Sequence, residues 1–247
     1  MTMNTTTAIK RVSDYLAEFL LDPTAFRGQQ MRGGGPVAEF EQQLAARCGF
    51  QYCVATCNAT TALIGLAIML GLRGRSVWFP KPHWEGSVSA IRSMGARIHR
   101  YDPQATVRLR GFRHGDVAIV SESADVETMR QRAGIRDCII VEDSSRLPGW
   151  TAGFADYSPA DIQVLSFGPG KPLCLGEGGA ILFRSKKLYR SFLSLAMHPE
   201  RLAAENDGLP KVPRICLNAR IHPIAALIGA AVLAEQNTNV TNGPSLS

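Results

Sequence analysis

No two cysteines in this chain are spaced C-x-x-C, although six are present: Cys48, Cys53, Cys57, Cys138, Cys174 and Cys216. That pattern argues against a zinc site and against a disulfide framework. Most of the six sit in apolar runs, where cysteine behaves as a small hydrophobe, and they point to a reducing compartment. Long apolar runs are also missing. The strongest helical candidates, Thr61 to Leu72 and Pro223 to Ala234, are too short to span a bilayer. The polar, threonine-rich start, Met1 to Lys10, lacks the apolar core of a signal peptide. The expectation is a cytoplasmic protein with no membrane partner. Clustered positive charge is absent too. The net charge is +6, but the tightest basic groups, Arg73 to Arg75, Arg108 to Arg113 and Arg184 to Arg190, have no aromatics interleaved. Nucleic acid is not the expected partner. Solvated surface, or a weak attraction to phosphorylated or nucleotide ligands, accounts for these groups. The sequence holds no internal repeat.

What is present is ordinary for a soluble globular chain: 45% hydrophobic and 19% charged residues. Its 247 residues suffice for one large domain, or one domain plus an appendage. Ile9, Val12, Leu16, Phe19 and Leu20 recur at helical spacing. A glycine-rich loop follows, Arg32 to Pro36, then a second helix marked by Val37, Phe40, Leu44 and Cys48 and stopped by Gly49. Seven strands are expected: Tyr52–Ala55, Val77–Phe79, Arg97–Tyr101, Val117–Val120, Cys138–Val141, Ile162–Ser166 and Ala180–Phe183. Most are continuous apolar runs, the signature of strands covered on both faces. Helices over Thr61–Leu72, Glu85–Met94 and Asp125–Ala133 join several of them. The fold class is α/β, a mostly parallel seven-stranded sheet in an α/β/α sandwich. The boundaries fall at 1–35 for the N-terminal helix and glycine-rich loop, 36–236 for the main domain and 237–247 for a disordered polar tail.

Chemistry gathers where strands end. Lys171 lies in Ser166-Phe167-Gly168-Pro169-Gly170-Lys171, after an apolar strand and before Gly176-Glu177-Gly178-Gly179. Asp143 closes Val141-Glu142-Asp143 at the end of another strand. A lysine in such a turn can form a Schiff base with an aldehyde. A carboxylate nearby keeps a pyridinium nitrogen protonated, and together they are what a pyridoxal 5'-phosphate (PLP) site requires. Thr56 to Ala62 lies between a strand and an apolar helix, either as a phosphate cradle with the Thr60 hydroxyl or as a plain N-cap. Trp84, after Pro80-Lys81-Pro82-His83, is either a ring-stacking aromatic or a core or rim residue. His83 reads as a loop residue without metal partners. Asp143 and Ser166 each have a second reading as a turn cap.

The order of these pieces resembles the DegT/StrS-type PLP-dependent sugar aminotransferases. The resemblance runs from about Gly33 to Glu235. It rests on Pro36 to Glu41, Asn58 to Leu63, Pro80 with Trp84, Val141 to Asp143, Ser166-Phe167 with Lys171, Gly176 to Gly179, and Asn218-Ala219-Arg220. The Ser-Phe, Lys and Glu-Gly-Gly block is the most specific of these. The resemblance implies the large domain of the type I PLP-dependent transferase fold, in a dimer. It implies that Lys171 is the Schiff-base lysine and proton shuttle, and that Asp143 is the pyridinium partner. Ala59, Thr60 and Ser166 become phosphate ligands and Trp84 the ring stacker. Asn218 becomes the residue that reaches the phosphate of a neighbouring subunit's cofactor.

Three departures stand beside the resemblance. Arg146 occupies a position where the family usually has Gln or His near the cofactor ring, so it either adds a fixed charge there or swings to the surface. Asp102 to Asp116 is shorter than usual. The sequence ends soon after the helix expected at Pro223–Ala234, so the family's C-terminal small domain is expected to be lacking. The implied activity is transfer of an amino group from glutamate or glutamine to a keto-sugar or keto-cyclitol. Two alternatives stay open: a repurposed PLP enzyme of dehydratase type, and a non-catalytic subunit paired with a complete paralogue. The expected partners are an amino acid donor, a keto-sugar acceptor and a second subunit, identical or paralogous.

Overall fold

The computed structural model of the chain describes residues 3–22, 33–105, 109–134, 138–145, 158–196, 201 and 217–241. Seven strands form one sheet: β1 Tyr52–Thr56, β2 Ser76–Pro80, β3 Arg97–Tyr101, β4 Val117–Val120, β5 Ile139–Asp143, β6 Ile162–Ser166 and β7 Gly179–Phe183. Their order is β1-β7-β6-β5-β4-β2-β3. Strand β7 is antiparallel to both its neighbours, and every other pair is parallel. Each strand lies within one or two residues of its expected place. Parallel strands need crossovers, so helices cover both faces.

On one face α3 (Ala59–Met69), α4 (Glu85–Ser93) and α6 (Lys186–Ala196) cover the sheet. Leu63, Leu66, Ile91 and Phe192 are buried there against Phe79, Ile119, Val141, Val164 and Phe183. On the other face α2 (Pro36–Cys48) and α7 (Pro223–Thr241) cover Ala55, Leu165, Ala180 and Leu182. There α5 (Asp125–Ala133) covers Ala118, Val120 and Ile140. Alternation along β6 shows why: Ile162 and Val164 join the first core, and Leu165 joins the second.

Three helices differ from the sequence expectation. Helix α3 begins at Ala59 rather than Thr61, because the Asn58 side chain accepts the Thr61 N–H at 2.7 Å and caps the turn there. Nothing in the sequence reading assigns α6, yet Tyr189, Phe192, Leu193 and Ala196 are buried at i, i+3, i+4 and i+7. Helix α7 runs on to Thr241, into the segment expected as tail, since neither Pro nor Gly occurs between Ala230 and Asn242. Residues 242–247 lie outside the described residues.

The N-terminal helix, α1 (Met3–Leu21), packs against α7. Arg11 forks onto Glu39 of α2, with N···O distances of 3.2 and 2.7 Å. That pair is exposed and contributes little. A buried pair matters more. Glu41 accepts the Ala55 N–H at 2.7 Å and both terminal nitrogens of Arg201, with side-chain exposures of 7% and 5%. Glu41→Ala would remove the carboxylate that a buried guanidinium and an edge amide share. We expect it to lower unfolding free energy by about 3–5 kcal/mol in urea titration.

Among the described residues the five cysteines are free, and burial pushes the Cys53 thiol well up from its usual range. Among the same residues no three His, Cys, Asp or Glu side chains are grouped to hold a metal ion, and no helix is long and apolar enough to cross a membrane.

Candidate active site

Strands β1, β2, β4, β5 and β6 all point the same way, so their carboxyl ends share one edge of the sheet, where such sheets bind ligands. The reversed strand β7 starts at that edge. Gly179 stands between Thr56 of β1 and Ser166 of β6 in one row. Asp143 lies opposite Val164, two residues before Ser166. Asp143 and Ser166 therefore project from adjacent strands toward the same face, the one covered by α3 and α4.

Asp143 is the most constrained polar group at this edge. Its Oδ2 accepts from Ser87 Oγ at 2.7 Å and faces His83 Nε2 at 3.2 Å. Its Oδ1 accepts from Ser145 Oγ at 2.5 Å and from the Ser145 N–H at 3.2 Å. Burial works against ionisation. The hydrogen bonds from His83, Ser145 and Ser87 outweigh it and hold the carboxyl below the usual carboxylate range. His83 is a loop residue, as its sequence position suggests, but a buried one: its side chain is 4% exposed. Its contact with Asp143 bridges 60 residues, which no local spacing reveals.

Helix α3 opens beside this carboxylate's edge. Ala59 and Thr60 occupy its first turn, where backbone N–H groups have no intrahelical acceptor. Thr60 is exposed, and Thr56 Oγ donates to the Asn58 carbonyl at 3.0 Å, bracing the turn. Strand β7 presses close from below. A Cβ on Gly179 would stand 2.5 Å from the Ala59 nitrogen and 2.6 Å from the Asn58 carbonyl carbon, which are backbone atoms. Gly179→Ala is accordingly expected to displace the α3 N-terminus and to destabilise the fold by about 1–3 kcal/mol. Thermal unfolding would show this, and any anion bound at that turn would weaken in parallel.

Trp84 sits at the N-cap position of α4 and is 63% exposed, a flat ring at the rim of the same edge. Lys171 lies in the loop from β6 to β7. Three backbone bonds set that loop: Phe167 N–H to the Gly178 carbonyl (2.9 Å), Leu175 N–H to the Phe167 carbonyl (2.9 Å) and Lys171 N–H to the Gly168 carbonyl (3.2 Å). The Lys171 side chain is partly exposed and makes no ion pair or hydrogen bond among the described residues.

One expected site residue stands apart. Asn218 is exposed and borders a cavity of about 370 Å³ lined also by Val37, Cys57, Glu177, Arg220 and Ile221. Val37 and Ile221 belong to the core under α2 and α7, so this cavity is on the opposite side of the sheet from Asp143. Arg146 lies outside the described residues.

A buried ionised carboxylate, an exposed indole, a helix N-terminus and a lysine with no charge partner among the described residues together suit a flat, phosphorylated, electron-poor aldehyde. Comparison with known proteins points the same way. The model of the DegT/DnrJ/EryC1/StrS aminotransferase family matches residues 22–107 and 116–242. UDP-2-acetamido-2-deoxy-3-oxo-D-glucuronate aminotransferase of Pseudomonas aeruginosa is 26% identical over 210 residues, 79% of this chain and 57% of that protein. A Bacillus subtilis structure, NtdA with the bound cofactor PMP, superposes with a TM-score of 0.70 at 22% identity, covering 94% of this chain and 54% of that one. A GDP-4-keto-6-deoxymannose-3-dehydratase with bound GDP-perosamine gives a TM-score of 0.66 at 16% identity, covering 84% and 62%. At such identities the two structures establish fold alone, the α/β large domain of PLP-dependent aminotransferases. The chain spans less than two thirds of the length of each relative. With the family's model matched over most of its residues, the chain belongs to the DegT/DnrJ/EryC1/StrS aminotransferase family.

Proposed function

We propose that this chain binds PLP and carries the catalytic centre of an aminotransferase that moves an amino group from glutamate or glutamine to a nucleotide-linked keto-sugar. One observation carries the reading: Asp143 is kept ionised in a buried network at the same sheet edge that bears Lys171, whose amine has no partner among the described residues. Bound PLP supplies a ring that withdraws electrons from the substrate carbon next to the amino group.

The chain's residues divide the remaining work. Lys171 anchors the aldehyde carbon through its amine. The same amine would serve as the general base and then the general acid for the proton on the substrate carbon. Asp143 pairs with the ring nitrogen and stabilises its proton, because a carboxylate held ionised out of water favours a cation beside it. The amides of Ala59 and Thr60, with the hydroxyls of Thr60 and Ser166, hold the phosphate, favoured by the positive end of the α3 dipole. Trp84 would stack on the ring. Asn218 of the partner subunit completes the phosphate site, so the working form is a dimer of this chain or a pair with a paralogue. The likeness to sugar-modifying relatives supports a keto-sugar acceptor.

The test is spectroscopic. Purified protein with PLP should be yellow, and borohydride should remove the colour while fixing the cofactor's mass on Lys171. Adding glutamate should convert bound PLP to the pyridoxamine form. A coloured protein that no amino donor converts would point to the dehydratase type of chemistry. A chain that cannot take up PLP would be a non-catalytic partner.

A further inference from the structure

We propose that His83 is a positioning residue for recognition of the cofactor's ring nitrogen, acting through Asp143. This inference rests on the PLP reading above and adds a residue to it.

His83 is clamped on both ring nitrogens. Nε2 lies 3.2 Å from Asp143 Oδ2 and Nδ1 lies 3.1 Å from Ser121 Oγ, and the ring packs on Phe79 with centroids 5.1 Å apart. An ionised carboxylate only accepts, so Nε2 carries the hydrogen. The Ser121 hydroxyl either donates to a bare Nδ1 or accepts from a protonated one, so the ring stays held in either charge state. Ser121 directly follows β4, so the imidazole ties the carboxyl ends of β4 and β5 together.

The consequence falls on Asp143. With Ser87 and His83 on Oδ2 and Ser145 on Oδ1, turning the carboxylate about its Cβ–Cγ bond would break every one of these contacts. A buried hydrogen bond to a charged acceptor is worth about tenfold or more in an equilibrium constant. His83 therefore holds the carboxylate in one orientation before any ligand arrives, and that preorganisation is specific to a ligand with a protonated ring nitrogen.

The test compares PLP with its carbocyclic analogue, in which C–H replaces the ring nitrogen, by measuring dissociation constants on the purified full chain. Wild type should prefer PLP by about tenfold or more. His83→Phe should lose about tenfold of that preference, and Ser121→Ala about threefold, with affinity for the analogue unchanged in both. A histidine that merely fills space predicts the same preference in all three proteins, and that result would overturn the proposal. If His83→Phe fails to fold by thermal unfolding, Ser121→Ala decides by the same criterion. Wild type binding both compounds equally would overturn the role of His83 alone. Wild type binding neither would overturn the PLP reading and this inference together.

Discussion

Lys171→Ala is expected to yield a folded chain that binds PLP without a covalent link and turns over about 10⁴-fold more slowly than wild type, the scale on which removal of a general acid–base is felt. The fold should survive because Lys171 contributes only a backbone bond to its loop, from its N–H to the Gly168 carbonyl, and alanine keeps that donor. The loss should be confined to chemistry because the Lys171 amine holds nothing else in place among the described residues. Peptide mass analysis after borohydride reduction checks it directly. Wild type should carry the cofactor's mass at position 171, and the variant should carry none. A tag on another lysine would assign the anchoring role elsewhere.

Asp143→Asn should cost about 10²–10³-fold in turnover, the range seen when one preorganised electrostatic contact is removed. It should also change the pH dependence of stability. The Asp143 carboxyl titrates below its unfolded value of about 3.9. Its contribution is therefore complete above that pH and disappears as pH falls through the lower, folded value. Urea unfolding at a series of acidic pH values should show wild type losing stability over that window and Asp143→Asn losing less of it. At neutral pH the asparagine is the weaker partner, because its amide nitrogen meets two donors, Ser87 and His83, where an acceptor stood. An acid limb of equal size in both proteins would assign the effect to other carboxylates.

Most of the sheet was readable beforehand because a strand buried on both faces leaves an unbroken apolar run, such as Val117 to Val120 or Ala180 to Phe183. The order of the strands was not, since nothing in a run such as Gly179–Phe183 tells which neighbours it will pair with or in which direction. Helix α6 escaped because Arg184, Lys186, Lys187 and Arg190 read as a group of surface charges. The apolar spacing of Tyr189, Phe192, Leu193 and Ala196 between and beyond them was the available signal. At the site, Asp143, Ser166 and Lys171 announce themselves through strand ends and glycine-rich turns, which are local features. The bonds from His83, Ser87 and Ser121 are long-range facts of the fold and leave no trace in residue spacing. Asn218 matched a family pattern, but the cavity it borders with Cys57 and Glu177 follows only from how the segment before α7 crosses the end of β1.

Because β7 returns antiparallel beside β6, the segment bearing Lys171 leaves the sheet and re-enters it on the very next strand. Both its feet are planted in the most deeply buried layer of the molecule, with no helix in the path between them. Lys171 is thus tied to the sheet at both ends of its loop, and through Phe167 and Leu173 to the core that α2 and α7 also line. Residues inserted between Ser166 and Gly179 would slacken that tether at once.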